Sequence, residues 1–216
     1  MHTDSTAGNE KYFRDTGATR DARQQLSLLI DLERCTGCRA CEAACKLENR
    51  LATGIFRNRV YWIPPADKEE RFEFMVSVCQ QCTRPACLRA CGAGAIKKDP
   101  TTGVVEIDEK RCTGCQECVL ACPYGAMSFD YRRHLAQKCD LCADRRQDGR
   151  GGPACAAACP GRAIHFGDRK ELATQARAAG REIRNIDHFG LVPSTIYLEH
   201  LPRQRSDSPS NGDIKK

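Results

Sequence analysis

The stretch Arg111–Ala126 reads RCTGCQECVLACPYGA and places four cysteines within eleven residues. The chain has 216 residues and 16 cysteines, and the cysteines fall into four groups of four. In chain order these are group one (Cys35, Cys38, Cys41, Cys45), group two (Cys79, Cys82, Cys87, Cys91), group three (Cys112, Cys115, Cys118, Cys122) and group four (Cys139, Cys142, Cys155, Cys159). This clustering predicts that all the cysteines are metal ligands.

Groups one and three have the spacing C-x2-C-x2-C-x3-C, which is the signature of bacterial two-cluster ferredoxins. In that signature the fourth cysteine binds the other cluster. A loop with cysteines three residues apart can wrap three corners of a cuboidal core, and the fourth cysteine lies on the helical turn that follows. We therefore expect Cys112, Cys115 and Cys118 to share one centre and Cys122 to serve a second.

The pairing that repeats the ferredoxin pattern joins group two with group three and group one with group four. It predicts four [4Fe-4S] sites: site 1 (Cys35, Cys38, Cys41, Cys159), site 2 (Cys45, Cys139, Cys142, Cys155), site 3 (Cys79, Cys82, Cys87, Cys122) and site 4 (Cys91, Cys112, Cys115, Cys118). No position in any group carries His, Trp or Asp in place of Cys. We therefore expect four [4Fe-4S] clusters and no [3Fe-4S] cluster.

Zinc and disulfides are the alternatives for these cysteines. Group four, C-x2-C-x12-C-x3-C, would by itself suit a structural zinc site, and a zinc-stapled interaction module is the matching function. Groups one and three suit zinc poorly, because zinc sites usually recruit well-separated cysteine pairs. A disulfide framework is typical of short secreted domains. The histidines show no ligand spacing; they are His2, His134, His165, His188 and His200.

The formal net charge of +6 invites a nucleic-acid interpretation. Many lysines and arginines stand beside cysteines, however, where they would partly neutralise anionic clusters. We therefore expect no nucleic-acid partner. The sequence contains no Gly-rich phosphate loop, nucleotide fingerprint or nucleophile elbow. We expect a chain that moves electrons and is not an enzyme on its own.

The chain contains an internal repeat, since IDLERCTGC (Ile30–Cys38) matches IDEKRCTGC (Ile107–Cys115), and each copy follows an apolar run that predicts a strand. Between groups one and two, RVYWI (59–63) and RFEFMVSV (71–78) predict a hairpin. We expect Trp62 to serve in packing.

The sequence after group four predicts a helix over 168–186 with Leu172, Ala176, Ala179 and Ile183 on one face. A short extended piece is predicted at 192–198.

These patterns predict an α+β fold of two pseudo-symmetric bacterial two-cluster ferredoxin-like halves, with a small β-hairpin insert and a C-terminal helix. Its parts are a flexible arm (1–25), a four-cluster domain (26–167: half A 26–50 with 131–167, half B 76–130, insert 51–75), a C-terminal helix and extended segment (168–201) and a flexible tail (202–216). We expect the polar first 25 residues not to serve as a signal peptide, and no apolar run approaches the roughly 18 residues that span a bilayer.

The cysteine-bearing segments resemble a known family. CQQCTRPAC in group two, CPYGA at the end of group three, and KCDLCADR with GGPACAAACP in group four are similar to the electron-transfer (beta) subunits of complex iron–sulfur molybdoenzymes. Dimethyl sulfoxide, polysulfide and tetrathionate reductases have such subunits. The resemblance covers roughly Leu26 to Leu201 and includes HFGD and PSTIYL. It departs at Gly92, where relatives usually have proline.

The resemblance implies four [4Fe-4S] clusters in a chain of single-electron carriers. It implies a molybdopterin catalytic subunit with Mo or W, towards which sites 1 and 2 would face, and an integral membrane anchor that reacts with quinone near sites 3 and 4. The chain would then be membrane-associated through a partner, on the cytoplasmic face or, by co-export, in the periplasm. The alternative is a ferredoxin-type subunit of a soluble formate or aldehyde dehydrogenase or hydrogenase complex.

Overall fold

The computed structural model describes residues 24–65 and 72–201 as a mixed α/β fold of small sheets and short helices. The strands are β1 (Leu26–Asp31), β2 (Asn58–Ile63), β3 (Glu73–Val78), β4 (Ile96–Lys98), β5 (Val105–Ile107), β6 (Met127–Asp130), β7 (Leu135–Lys138), β8 (Ile164–Asp168) and β9 (Ile196–Leu198). Residues 1–23 of the expected arm, the expected tail 202–216 and the hairpin connection 66–71 lie outside the described residues.

The helices are short and mostly carry or follow cysteines. They are α1 (Ala40–Glu48), α2 (Ala86–Arg89), α3 (Glu117–Ala121), α4 (Ala143–Gln147), α5 (Ala154–Ala157) and α6 (Arg169–Ala178). The residues that precede α1, α3 and α4 all have left-handed backbone conformations: Arg39 (φ 60°), Gln116 (φ 64°) and Cys142 (φ 53°). The chain therefore turns sharply out of each cysteine loop before the helix begins.

The main sheet has the strand order β8-β1-β9. Strand β1 is central; it pairs antiparallel with β8 and parallel with β9. The apolar run predicted as a strand before group one forms β1, and Leu28 and Ile30 are fully buried in the largest apolar cluster. A near-continuous apolar sequence suits a central strand that is covered on both faces.

The remaining strands form three antiparallel pairs, β2-β3, β4-β5 and β6-β7. Each pair lies between two successive cysteine groups in the sequence. The predicted insert hairpin is confirmed as β2-β3, with Asn58 opposite Val78 and Ile63 opposite Glu73. The strand predicted before group three is confirmed as β5.

Trp62 does not pack in the core, contrary to the expectation that it serves in packing. Its side chain is 64% exposed, and its ring stacks at a tilt on Phe72 with centroids 5.1 Å apart. The hairpin is only half-buried: Val60 and Val76 face the core, whereas Trp62 lies near the end of the ladder at which the chain connects the two strands. Trp62 therefore makes a surface contact.

The C-terminal helix is shorter than predicted. Helix α6 begins after Asp168, whose carboxylate accepts from the backbone N–H of Lys170, and it ends at Ala178. Gly180 follows with a left-handed φ of 66°, a common way to end a helix. Ala179 is exposed, in contrast to the predicted face. Ile183 still joins the apolar cluster under α6, but it does so from an extended segment that bridges to Leu198.

Candidate metal centres

The loops of groups one and three have the same backbone geometry. Each has a left-handed glycine between its first two cysteines, Gly37 (φ 68°) and Gly114 (φ 72°), and a left-handed residue just before the helix. A Cβ on Gly37 would lie 2.4 Å from the ring of Phe74, and one on Gly114 would lie 2.7 Å from the carbonyl oxygen of His134. Both loops therefore need glycine for space as well as for conformation.

The cysteines predicted for site 1 line one small cavity between the group one loop, the β2-β3 hairpin and the end of group four. Val60, Val76 and Ile164 form its apolar wall. Burial raises the pKa of the Cys41 thiol to about 12, and repulsion from Cys35 and Cys159 adds to the shift. Cysteines from groups one and four thus share this space.

The cysteines predicted for site 4 line a second cavity of the same kind. Ile96, Ile107 and Ala136 complete its wall. Burial raises the pKa of the Cys118 thiol to about 11, and the other three cysteines of site 4 add to the shift through repulsion. Cys91 of group two therefore meets three cysteines of group three.

The cysteines predicted for site 2 are all buried. Burial raises the pKa of the Cys155 thiol to about 12, and Cys142 and Cys45 contribute repulsion. Burial also raises the pKa of the Cys139 thiol, and repulsion from Cys155 adds to the shift. The structure thus brings the fourth cysteine of group one to the first three of group four.

The cysteines predicted for site 3 also lie together. Burial raises the pKa of the Cys82 thiol to about 12, and repulsion from the other three cysteines of site 3 adds to the shift. Burial likewise raises the pKa of the Cys87 thiol to about 12, with Cys79 the largest repulsive neighbour. Cys122, the residue that follows α3, therefore meets group two rather than the rest of its own group.

The donor chemistry of these sets fits a cationic iron–sulfur core. Buried, mutually repelling thiols resist ionisation, and a bound metal removes their protons and compensates the negative charge. In a four-iron core each thiolate binds a different iron atom, so the four thiolates lie farther apart than they would around a single metal ion. Among residues 24–65 and 72–201, no three or more His, Cys, Asp or Glu side chains form a site for a single metal ion.

Backbone N–H groups donate to several of the sulfurs. The amide of Ala95 donates to Cys91 Sγ, and that of Ala163 to Cys159 Sγ, each at 3.2 Å. The amide of Leu141 donates to Cys139 Sγ at 3.4 Å. Such bonds stabilise negative charge on the sulfur and raise the reduction potential of a cluster. These donors were not predicted from the sequence, although an alanine stands four residues after the last cysteine in groups two, three and four.

Thiols of different sets also repel one another electrostatically. Such pairs include Cys41 with Cys155 (site 1 to site 2), Cys139 with Cys79 (site 2 to site 3) and Cys87 with Cys118 (site 3 to site 4). From these pairs we infer the order 1-2-3-4 for the four sets. The two exposed cysteines, Cys38 and Cys115, belong to the two end sets.

One histidine lies close to two carboxylates. His200 is 3.1 Å from Glu33 and 3.4 Å from Glu73, so its ring lies between them.

Within the part of the chain that the structure describes, no helix is both long and apolar enough to cross a bilayer.

Comparison with known protein families gives two matches. A model of a 4Fe-4S dicluster domain matches residues 71–169, and a model of a 4Fe-4S binding domain matches residues 27–47. Group one lies within the second range and groups two to four lie within the first, so the two ranges together include all 16 cysteines.

Several curated proteins are similar to the chain. The thiosulfate reductase electron transfer subunit of Salmonella typhi is 37% identical over 134 residues, which cover 61% of this chain and 69% of the relative. One chain of the anaerobic dimethyl sulfoxide reductase of Escherichia coli is 38% identical over 140 residues, which cover 61% of this chain and 67% of the relative. One subunit of the tetrathionate reductase of Salmonella typhimurium is 36% identical over 136 residues, which cover 62% of this chain and 54% of the relative.

Proposed function

This chain belongs to the family of iron–sulfur electron-transfer subunits of reductase complexes, and from that premise we propose that it carries single electrons through four [4Fe-4S] clusters between a molybdopterin catalytic subunit and a quinone-reactive membrane anchor. The chain is the electron-transfer subunit and not the catalytic one. Substrate chemistry then belongs to a partner that contains Mo or W.

The cluster ligands in this proposal are the four cysteines of each of sites 1 to 4. The observation that carries the proposal is the mutual approach of thiols from different groups, above all Cys159 beside Cys35 and Cys122 beside Cys82. Each cluster, when bound, accepts and releases one electron. The protein holds the sulfurs in place, excludes water from them and supplies N–H donors at Ala95, Ala163 and Leu141.

Two ferredoxin-like halves form part of the same proposal. Strand β4 follows the last cysteine of group two and pairs with β5, which precedes the first cysteine of group three. Strand β8 follows the last cysteine of group four and pairs with β1, which precedes the first cysteine of group one. The same antiparallel relation thus frames sites 3 and 4 in one half and sites 1 and 2 in the other.

The proposed path runs from one exposed end to the other. Cys38 of site 1 and Cys115 of site 4 reach solvent, whereas all cysteines of site 2 are buried. Electron carriers that exchange with separate partners need an accessible cluster at each end and benefit from insulation between. We assign site 1 to the catalytic subunit and site 4 to the membrane anchor.

The test is to purify the native complex anaerobically in mild detergent and to measure Fe, Zn, Mo and W on the same sample. We expect iron together with near-stoichiometric Mo or W, a catalytic subunit and a polytopic membrane subunit. Iron without Mo or W, and without a membrane subunit, would contradict the proposal and support a soluble dehydrogenase or hydrogenase complex. Zinc without iron would overturn electron transfer altogether.

A further inference from the structure

Lys138 is a buried lysine at the boundary between two proposed cluster sites. It ends β7, immediately before Cys139, and is 3% exposed. Its Nζ donates to the carbonyl oxygen of Val105 and, at 2.8 Å, to that of Cys139. The lysine therefore reaches from group four towards the strand that leads into group three.

Gln81, in group two, makes hydrogen bonds to the same two residues, Val105 and Cys139. It is fully buried, its Nε2 donates to the carbonyl oxygen of Cys139 at 2.8 Å, and its Oε1 accepts from the backbone N–H of Val105 at 2.8 Å. Lys138 and Gln81 thus contact the backbone of the same two residues, Val105 and Cys139. The amine donates to two carbonyl oxygens, and its burial leaves it little freedom to turn towards solvent.

Burying a cation costs several kcal/mol unless negative charge compensates it. Among residues 24–65 and 72–201, the partners of Lys138 Nζ are carbonyl oxygens, and no carboxylate forms an ion pair with it. Glu106 is close enough to sense the charge, and burial is the main influence that raises the pKa of this carboxyl. The negative charge that compensates the Lys138 ammonium must therefore come from another group.

Gln81 lies between Cys79 and Cys82 of site 3, and its Nε2 and Lys138 Nζ donate to the same carbonyl oxygen, that of Cys139, each at 2.8 Å. The amine therefore lies beside the loop that carries the first cysteines of site 3. A reduced [4Fe-4S] cluster with four thiolates carries one more negative charge than the oxidised form. A fixed positive charge beside it stabilises the reduced form more.

We propose that Lys138 is a positioning residue that places a buried positive charge beside site 3 and raises the reduction potential of the cluster there above the value it would otherwise have. This inference rests on the proposed function, because it assumes a cluster at site 3. An electron that leaves site 2 would then find the next site more favourable. Lys138 acts through space and makes no ligand bond.

The test is an EPR-monitored redox titration of the anaerobically purified complex, with wild-type protein compared to Lys138→Met and Lys138→Gln. Loss of one signal in Cys82→Ser identifies the signal of site 3. We expect both Lys138 variants to lower its potential enough to decrease the reduced-to-oxidised ratio at least tenfold at a fixed ambient potential, which is about 59 mV for one electron. The other three signals should move less.

The matched control is Lys97→Met, which removes the same charge from an exposed position on β4, the strand that pairs with β5. It should leave the potential of site 3 nearly unchanged, because water screens exposed charges. Lys138→Gln keeps a hydrogen-bond donor at the position, so it separates the effect of the charge from that of packing. If the complex with Lys138→Met does not assemble, the potential measured in Lys138→Gln tests the inference.

Several outcomes would overturn the inference. The first is a reduction potential of site 3 that stays unchanged in Lys138→Gln. The second is a shift of this potential in Lys138→Met that Lys138→Gln does not share. The third is a shift in Lys97→Met as large as the shift in the Lys138 variants. If Cys82→Ser keeps every EPR signal that the wild-type complex shows, the proposed cluster at site 3 is contradicted. The proposed function would then be contradicted as well.

Discussion

The loop of group one depends on one close contact, between Gly37 and the ring of Phe74. Gly37 has a φ of 68°, and a Cβ there would lie 2.4 Å from Cδ1 of Phe74. Phe74 belongs to the β2-β3 hairpin, so this contact joins the insert to the loop that carries Cys35 and Cys38. The insert therefore supports the outer end of the proposed cluster series.

Gly37→Ala should destabilise the protein by more than the roughly 1–2 kcal/mol of a left-handed residue, because the new methyl group also displaces the Phe74 ring. The measurement is the apparent unfolding temperature together with the iron content. The matched control is Gly54→Ala, which has a φ of 84° but no atom within 4 Å of the added Cβ.

A double mutant isolates the contact itself. In Gly37→Ala/Phe74→Ala the added methyl no longer meets a ring, so the combined loss should be smaller than the sum of the two single losses. Additive losses, together with equal effects of Gly37→Ala and Gly54→Ala, would show that only backbone strain matters at this position.

At the residue scale the sequence predicts ligands better than their surroundings. Cysteine spacing identified the candidate ligands because a cuboidal core imposes a short, regular repeat. The burial of Lys138 and the exposure of Trp62 could not be read in the same way. Each depends on which segment from far along the chain covers the side chain, and no local pattern records that.

At the scale of elements, Arg184 fastens the C-terminal segment to the β2-β3 hairpin. Its guanidinium pairs with both carboxylate oxygens of Glu73, at 2.6 and 2.7 Å, and with both of Glu199, at 2.8 and 2.6 Å. The backbone N–H of Arg184 also donates to the carbonyl oxygen of Tyr197 in β9. This network holds a segment that has little regular structure of its own.

Arg184→Met should lower the free energy of unfolding at pH 7 by about 2 kcal/mol, because it leaves two partly buried carboxylates without their partner. Thermal unfolding monitored by far-UV circular dichroism measures the loss. The control is Arg133→Met, since Arg133 and Glu109 form an exposed pair expected to contribute less than about 1 kcal/mol. Equal losses in the two variants would contradict the proposed role of Arg184.

The pH dependence of this difference follows from Glu73. Hydrogen bonds from Arg184 are the largest influence that holds the pKa of the Glu73 carboxyl below its ordinary value of 4.5, and burial opposes them. A lowered folded-state pKa gives stability that is present above the unfolded value and is lost as the pH falls through the folded value. The deficit of Arg184→Met should therefore be full at pH 7 and shrink only below about 4.5.

The strands and the insert hairpin were predictable from apolar runs and alternation, whereas the end of α6 was not. The apolar periodicity continues past Gly180 to Ile183, so the pattern predicts a longer helix. In the structure the pairing of Ile183 with Leu198 in an extended conformation buries the same side chain. Tertiary pairing thus overrides the local helical pattern, and Ile183 still packs against the apolar cluster under α6.

At the scale of the whole molecule, the proposed order 1-2-3-4 makes the two end sites distinguishable. Cys38→Ser should impair exchange at the site 1 end, and Cys115→Ser should impair exchange at the site 4 end. Because the sites act in series, each variant should lower substrate-to-quinone turnover of the complex by about tenfold or more.

The two variants should differ in which clusters remain reducible. In Cys115→Ser, sites 1 to 3 should still be reduced by an electron donor acting through the catalytic subunit, whereas a quinol should reduce them poorly. Cys38→Ser should show the opposite preference. EPR spectra after reduction from each side measure this. Normal quinone-linked turnover in Cys115→Ser would contradict transfer in series.

The pairing of groups across the chain is a prediction from the motif that groups one and three repeat, because the same known arrangement applies to each of them. The linear order of the sites could not be predicted. It rests on electrostatic repulsion between thiols such as those of Cys139 and Cys79, whose segments no repeat relates. The paths that connect the groups, including the parallel pairing of β9 with β1, appear only in three dimensions.

The most direct test of the central claim is the iron, acid-labile sulfide and zinc content of the full chain, purified anaerobically. Four [4Fe-4S] clusters predict about 16 iron atoms and about 16 sulfides per chain, with zinc near zero. About eight iron atoms would contradict the assignment of all 16 cysteines as cluster ligands, and about four zinc atoms without iron or sulfide would contradict electron transfer by this chain.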